Sequence, residues 1–192
     1  MKQLWAPWRM AYIDEGSRDE GCIFCTKYRE TDLRAALVLA QTQHTVVMMN
    51  KYPYNNGHLL IAPKRHESNL AQLPGEAFSE VNEVLRQAVE AVRQAFNPGG
   101  INLGMNLGKC AGAGIEAHLH WHIVPRWEGD TNFMPVIGET RVMPQHLLAS
   151  FDRLQPHFKN LSIKLSHVAG GDLTPPPIKI SQRGTRPPLE TP

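Results

Sequence analysis

The chain is 192 residues long and 42% apolar, with 20 basic and 18 acidic side chains for a formal charge of +2. That length suits about one domain with a sizeable core, and so small a charge excess excludes any argument from charge alone for nucleic-acid or membrane-surface binding. No apolar run approaches the roughly 18–20 residues of a membrane span, and the opening MKQLWAPWR lacks the apolar core of a signal peptide, so a cytoplasmic protein with no nucleic-acid or membrane partner is expected.

Residues 1–21 read as an irregular N-terminal arm carrying Trp5 and Trp8. The cysteines are Cys22, Cys25 and Cys110, an odd count that argues against a disulfide framework in a reducing compartment. Cys22 and Cys25 have the two-residue spacing that lets two thiolates grip one Zn²⁺. Tetrahedral zinc needs two further ligands, for which His44, His58, His66 and His118 are candidates by type.

Short apolar runs at 35–40 and 45–49 predict buried strands. Residues 52–57, Tyr-Pro-Tyr-Asn-Asn-Gly, predict a turn, and 58–62 a strand stopped by Pro63, giving an antiparallel pair. Residues 74–96 predict the main helix, with Phe78, Val81, Leu85, Ala88, Val92 and Phe96 as its apolar stripe and Pro74 at its first position. Asn97-Pro98-Gly99-Gly100 ends it, and a strand follows over 101–106. Leu147, Leu148, Phe151 and Leu154 suggest a second, shorter helix. From about Ser166 the polar, proline-interrupted composition predicts a disordered or loosely attached tail. The expected division is an arm at 1–21, a folded domain at 22–160 and a tail at 161–192. The element order predicts an α+β fold, a helix laid on an antiparallel sheet.

Between the last two strands lies the glycine-rich stretch 106–115, NLGKCAGAGI. Glycines let a backbone approach a ligand and aim N–H groups at an anion. The Gly-Lys-Ser/Thr ending of the NTPase loop is missing. Next comes His118-Leu119-His120-Trp121-His122-Ile123-Val124. On a strand the three imidazoles share one face, while Leu119, Trp121 and Ile123 share the other. Three such rings can bind a metal or an anion, or one can attack phosphorus with the others in support. Trp127, just past the strand, is a candidate for stacking on a base, and Arg126 for supporting the site or pairing with a carboxylate.

The His118-x-His120-x-His122 pattern followed by Pro125-Arg126 resembles the signature of the histidine-triad (HIT) superfamily of nucleotide hydrolases and transferases. The run 57–66, GHLLIAPKRH, is similar to that family's other strand motif, and Cys22-Ile23-Phe24-Cys25 to the zinc-binding start of many bacterial members. Trp5-Ala6-Pro7-Trp8-Arg9 and the GDTNF run at 129–133 look like the diadenosine tetraphosphate phosphorylase (ATP adenylyltransferase) branch.

The resemblance implies a HIT-like fold with a five-stranded antiparallel sheet, one long and one shorter helix, and a homodimer. It implies that His120 is the nucleophile at the α-phosphate, His122 binds the phosphate beside it, and His58 completes a four-histidine cluster. Asn50 falls at a ribose-binding position, and Asn106, Gly114 and Ile115 at phosphate-binding ones. His118 joins Cys22, Cys25 and His66 as ligands of a structural Zn²⁺. The implied reaction cleaves dinucleoside polyphosphates through an adenylyl-histidine, with inorganic phosphate as acceptor and AMP- or ATP-type nucleotides as ligands. Residues 113–117, AGIEA, replace the Ala-Gly-Gln-Ser/Thr-Val of many hydrolase members, which favours the phosphorylase branch. Water as acceptor, a phosphoramidase, or a nucleotide-binding regulatory protein are the alternatives.

Overall fold

The computed structural model describes residues 21–130, 145–159 and 161. The arm with Trp5 and Trp8, the proline-rich tail beyond 161, and residues 131–133 of the GDTNF run lie outside them. In chain order the elements are α1 (Ile23–Thr26), β1 (Val38–Gln41), β2 (Thr45–Met49), β3 (Leu59–Pro63), α2 (Gly75–Phe96), β4 (Gly100–Met105), β5 (Trp121–Arg126) and α3 (Leu147–Phe158). The strands form one antiparallel sheet in the order β1-β2-β3-β5-β4. The fold is therefore α+β, as expected. No helix among the described residues is long and apolar enough to cross a membrane.

Strands β2 and β3 are buried along their whole length, which is why they read as continuous apolar runs rather than alternating ones, whereas the edge strand β4 is largely exposed. Leu39, Val47, Met49, Leu59, Ile61, Trp121 and Ile123 pack with α2 and α3. Val38, Val46, Met48, Leu60 and Ala62 face the other way, toward Phe24 of α1. This division fixes the histidine strand: Leu119, Trp121 and Ile123 face the helices, so the three imidazoles are turned to the α1 face.

Several boundaries differ from the expected ones for identifiable reasons. The first strand starts at Val38, not 35, because Leu37 adopts a left-handed φ of 60° and the Asp32 carboxylate accepts the Arg34 and Ala35 N–H groups in a turn. His58 precedes β3, and Pro63 is that strand's last residue, opposite Thr45. The strand after α2 runs Gly100–Met105 rather than 101–106. Pro74 caps α2 instead of opening it, and Phe78, predicted in the apolar stripe, is 41% exposed. At about 100° per residue Phe78 falls at the stripe's edge, and Ala77, Val84, Ala91 and Ala95 complete the buried face. His118 and His120 lie just ahead of β5, so only His122 sits in the ladder, opposite Leu60 on β3 and Gly104 on β4.

Candidate active site and metal centre

Four histidines from two segments meet on the α1 face of the sheet. His58 comes from the end of the 52–57 turn, and His118, His120 and His122 come from the approach to β5 and its second residue. His58, His118 and His120 are buried. The ring centroids of His58 and His122 lie 5.1 Å apart, and those of His120 and His122 lie 5.0 Å apart.

Backbone partners set the tautomers of His58 and His120, and His58 sets that of His122. The Tyr54 N–H donates to His58 Nδ1 at 3.0 Å, so His58 carries its proton on Nε2. That Nε2–H donates to His122 Nδ1 at 2.9 Å, which leaves the proton of His122 on Nε2. This His122 Nε2–H is buried and has no hydrogen-bond partner among the described residues. A buried donor without a partner costs about 1–3 kcal/mol, so it marks a place built for an acceptor. His120 Nδ1 donates to the His118 carbonyl at 2.8 Å. Its Nε2 is then a bare lone pair.

Desolvation favours the neutral form of the three triad rings. Burial pushes His120 and His118 below their ordinary value. Burial, then the neighbouring His120, pushes His122 down to about 4. A neutral imidazole is the nucleophilic form.

His118 faces elsewhere. Its Nε2–H donates to the Pro63 carbonyl at 2.7 Å, so the Nδ1 lone pair is directed at Cys22 Sγ, 3.2 Å away, and Cys25 Sγ, 3.6 Å away. His66 Nδ1 lies 3.3 Å from Cys25 Sγ. The four ligand atoms of Cys22, Cys25, His66 and His118 all fall within 4.8 Å of one another. A tetrahedral zinc with Zn–S of about 2.3 Å and Zn–N of about 2.0 Å separates its ligands by about 3.5 Å, so this donor set fits. Burial and then Cys22 push the Cys25 thiol up, a penalty a bound cation removes by replacing the protons. His44 and His58, the other ligand candidates, are not in this group. Nor do the three triad rings converge on one point: their Nδ1 atoms face the cysteines, a backbone carbonyl and another histidine respectively.

The remaining predicted residues are placed as follows. Asn50 closes the 50–58 loop: its N–H donates to the His58 carbonyl, its Oδ1 accepts the Tyr52 N–H, and its Nδ2 lies 3.3 Å from His58 Nδ1. Ile115 packs against the α1-face core, which brings the glycine-rich stretch back to the histidine face. Gly114 is exposed beside it, and Asn106 Nδ2 donates to the Gly112 carbonyl at 3.4 Å. Trp127, a candidate for base stacking, instead packs against the helix-side core, across the sheet from the histidines.

Two aromatic residues escaped the sequence reading. Phe24, inside the cysteine pair, stacks on His120 with centroids 5.0 Å apart and tilts against His118 at 5.1 Å. Tyr54 stacks on His122 at 5.7 Å and tilts against His58 at 4.7 Å. Phe24 had a signal, an aromatic residue between two ligands. Tyr54 had only its place in a turn.

The family model of the HIT domain matches residues 33–129. The AP-4-A phosphorylase of Mycobacterium tuberculosis is 36% identical over 154 residues, covering 77% of this chain and 79% of its own. A solved histidine triad nucleotide-binding protein from Sulfolobus tokodaii has TM-score 0.58 and 25% identity, covering 78% of this chain and 100% of that one. A Zn-bound histidine triad family protein from Mycobacterium smegmatis shares the fold with TM-score 0.55 and 22% identity, over 71% of this chain and 92% of that one.

Proposed function

This chain belongs to the HIT domain family, and from that premise we propose that it is a nucleotidyltransferase that cleaves dinucleoside polyphosphates through an adenylylated His120. The observation that carries the reading is the tautomer arrangement. The His118 carbonyl accepts the hydrogen bond of His120 Nδ1–H, leaving the Nε2 lone pair to attack, and the His58–His122 pair ends in an N–H with no partner among the described residues. The similarity to an AP-4-A phosphorylase supplies the substrate class.

His120 Nε2 attacks the α-phosphorus of diadenosine tetraphosphate, forming an N–P bond as the P–O bond to the remaining three phosphates breaks and ATP leaves. The His122 Nε2–H donates to a phosphoryl oxygen and stabilises the charge that develops there. Asn106 and the backbone N–H groups of Gly114 and Ile115 contribute further donors, and Asn50 holds the ribose. Inorganic phosphate then attacks the adenylyl group, releasing ADP and restoring the free imidazole. Cys22, Cys25, His66 and His118 would hold a Zn²⁺, which would supply structure rather than a reacting group, since these ligands join α1 and its N-cap to the start of the triad.

The test is to incubate the protein with diadenosine tetraphosphate, with and without phosphate, and resolve the nucleotides. ADP plus ATP, only with phosphate, is expected. AMP plus ATP irrespective of phosphate makes water the acceptor, and no turnover at micromolar protein leaves a binding protein.

A further inference from the structure

The tautomer of His58 depends on a backbone N–H in an irregular turn, and something must hold that turn still. Residues 52–57 contribute no strand or helix. Asn55 anchors them. Its Nδ2 donates to Asp130 Oδ2 at 2.8 Å and to the Pro125 carbonyl at 3.1 Å, bridging to the far end of β5. Asp130 is in turn over-determined. Its Oδ2 accepts from Arg126 Nε at 2.6 Å and from the Trp127 N–H at 3.1 Å, and its Oδ1 accepts from Arg126 Nη2 at 2.8 Å. Arg126 Nη1 also donates to Asn102 Oδ1 on β4 at 3.0 Å. The Asp130 side chain is only 9% exposed, so the carboxylate end of the clasp is sheltered, while the Arg126 side chain at 44% meets solvent.

We propose that Asp130 is a positioning residue for the His58–His122 pair, acting through Asn55. The proposal rests on the reading of His120 as nucleophile with His122 beside it. The chain of contacts is short. Asp130 holds Asn55, and Asn55 is covalently next to Tyr54. The Tyr54 N–H fixes His58 Nδ1 as an acceptor, and His58 fixes His122. The Asn55 carbonyl also takes the His58 N–H at 3.2 Å, so a displaced turn moves the His58 backbone as well. If the Tyr54 N–H drifts out of reach, the His58 proton is held on Nε2 less firmly, since the other donor at Nδ1 described above, Asn50 Nδ2, stands further off at 3.3 Å. The opposite relay then becomes accessible, in which His122 Nε2 is a lone pair facing the phosphoryl oxygens and repels what it should bind. Asp130, which lies past the end of β5 and contacts no imidazole in the hydrogen bonds above, thereby enters the chemistry without touching the substrate.

The experiment uses the full chain with histidine ¹⁵N labelling. Tautomers of His58 and His122 are read from ring-nitrogen shifts of the free protein, and kcat and KM are measured on the dinucleotide. For Asn55→Ala and Asp130→Ala we expect ring shifts moved toward tautomer-averaged values and kcat reduced about tenfold or more, with KM within about twofold. The double variant should lose little more kcat than Asn55→Ala alone, because that change already removes the Asn55–Asp130 contact. Asp130→Asn, which keeps a carbonyl oxygen facing Asn55, should restore most of what Asp130→Ala loses. If Asn55→Ala does not fold, Asn55→Ser replaces it in the same measurements. Wild-type tautomer shifts in the variants, or a lower melting temperature with kcat unchanged, would overturn the proposal. The two readings fail separately. A wild-type protein that forms no adenylyl adduct by intact mass removes the His120 mechanism, whereas the ring shifts, measured without nucleotide, still decide the positioning role.

Discussion

Replacing Gly57 by alanine adds one methyl group, yet it should be a costly change. Gly57 has φ +72°, in the left-handed region, where a side chain costs about 1–2 kcal/mol. Its Cβ would stand 2.6 Å from Phe96 Cε2 and 2.9 Å from Cδ2, well inside van der Waals contact. The Phe96 ring is buried and has the Arg153 guanidinium 5.3 Å from its centroid, so it has little room to withdraw. Overpacking of this kind adds about 1–3 kcal/mol. Together the two effects come to about 2–5 kcal/mol, a large share of the roughly 5–15 kcal/mol of a typical domain. At about 2–4 °C per kcal/mol for a chain of this size, the melting temperature should fall by about 4–20 °C. Thermal unfolding followed by circular dichroism at fixed zinc concentration measures it. Combining the change with Phe96→Leu separates the causes, since the smaller side chain relieves the clash but not the backbone strain, and the double variant should lose less than the sum of the singles. A loss below about 1 kcal/mol, or strict additivity with Phe96→Leu, would refute this reasoning.

His120→Asn should cut turnover by about four orders of magnitude or more and leave the far-ultraviolet spectrum unchanged, because the amide still donates to the His118 carbonyl; near-normal rates would remove the nucleophile assignment. Metal analysis should return one zinc per chain, with chelation lowering the melting temperature and Cys22→Ala abolishing both the zinc and the chelator response; a chelator without effect would mean that the four ligands hold nothing. His122, with its folded-state value near 4 against an ordinary 6.5, should remain neutral at pH 5 by ¹⁵N NMR. The unfolded chain binds that proton and the folded one does not. Stability contributed by the ring is therefore complete above about pH 6.5 and lost as pH falls toward about 4, so denaturant midpoints should decline across that window and more steeply than in His122→Asn.

How much of this was legible beforehand follows from what sequence patterns encode. The buried strands were readable as short apolar runs bounded by turn residues, and α2 because burying one helix face imposes a 3.6-residue period on apolar residues. The metal group was half readable: two-residue cysteine spacing is local, but the Pro63 carbonyl that turns His118 Nδ1 toward the thiols and the approach of His66 to Cys25 are set by the fold, not by spacing. Phe78 was misjudged because a stripe's edge depends on what the neighbouring strand covers. Asn55 and Asp130 are 75 residues apart. No periodicity links them: Asn55 reads as an ordinary turn residue, and Asp130 stands out only within the GDTNF run, which says nothing of its partner. Tyr54 was invisible for a sharper reason, since its influence on His58 runs through its backbone N–H, a group every residue but proline carries.

That last point bears on how one strand supports three different jobs. His118, His120 and His122 are the same residue type at equal spacing on the same face, so neither identity nor periodicity distinguishes them. What distinguishes them is which ring nitrogen the surroundings occupy. A carbonyl on Nε2 makes His118 a ligand through Nδ1, a carbonyl on Nδ1 makes His120 a nucleophile through Nε2, and a donor on Nδ1 makes His122 a donor through Nε2. Two of these three settings come from backbone carbonyls, which no side-chain substitution removes directly. The third passes through His58 to the Tyr54 N–H in a turn clamped by side chains. Mutational sensitivity away from the imidazoles should therefore be uneven, concentrated on the turn and its clasp, because there alone the tautomer is set by groups that substitution can reach.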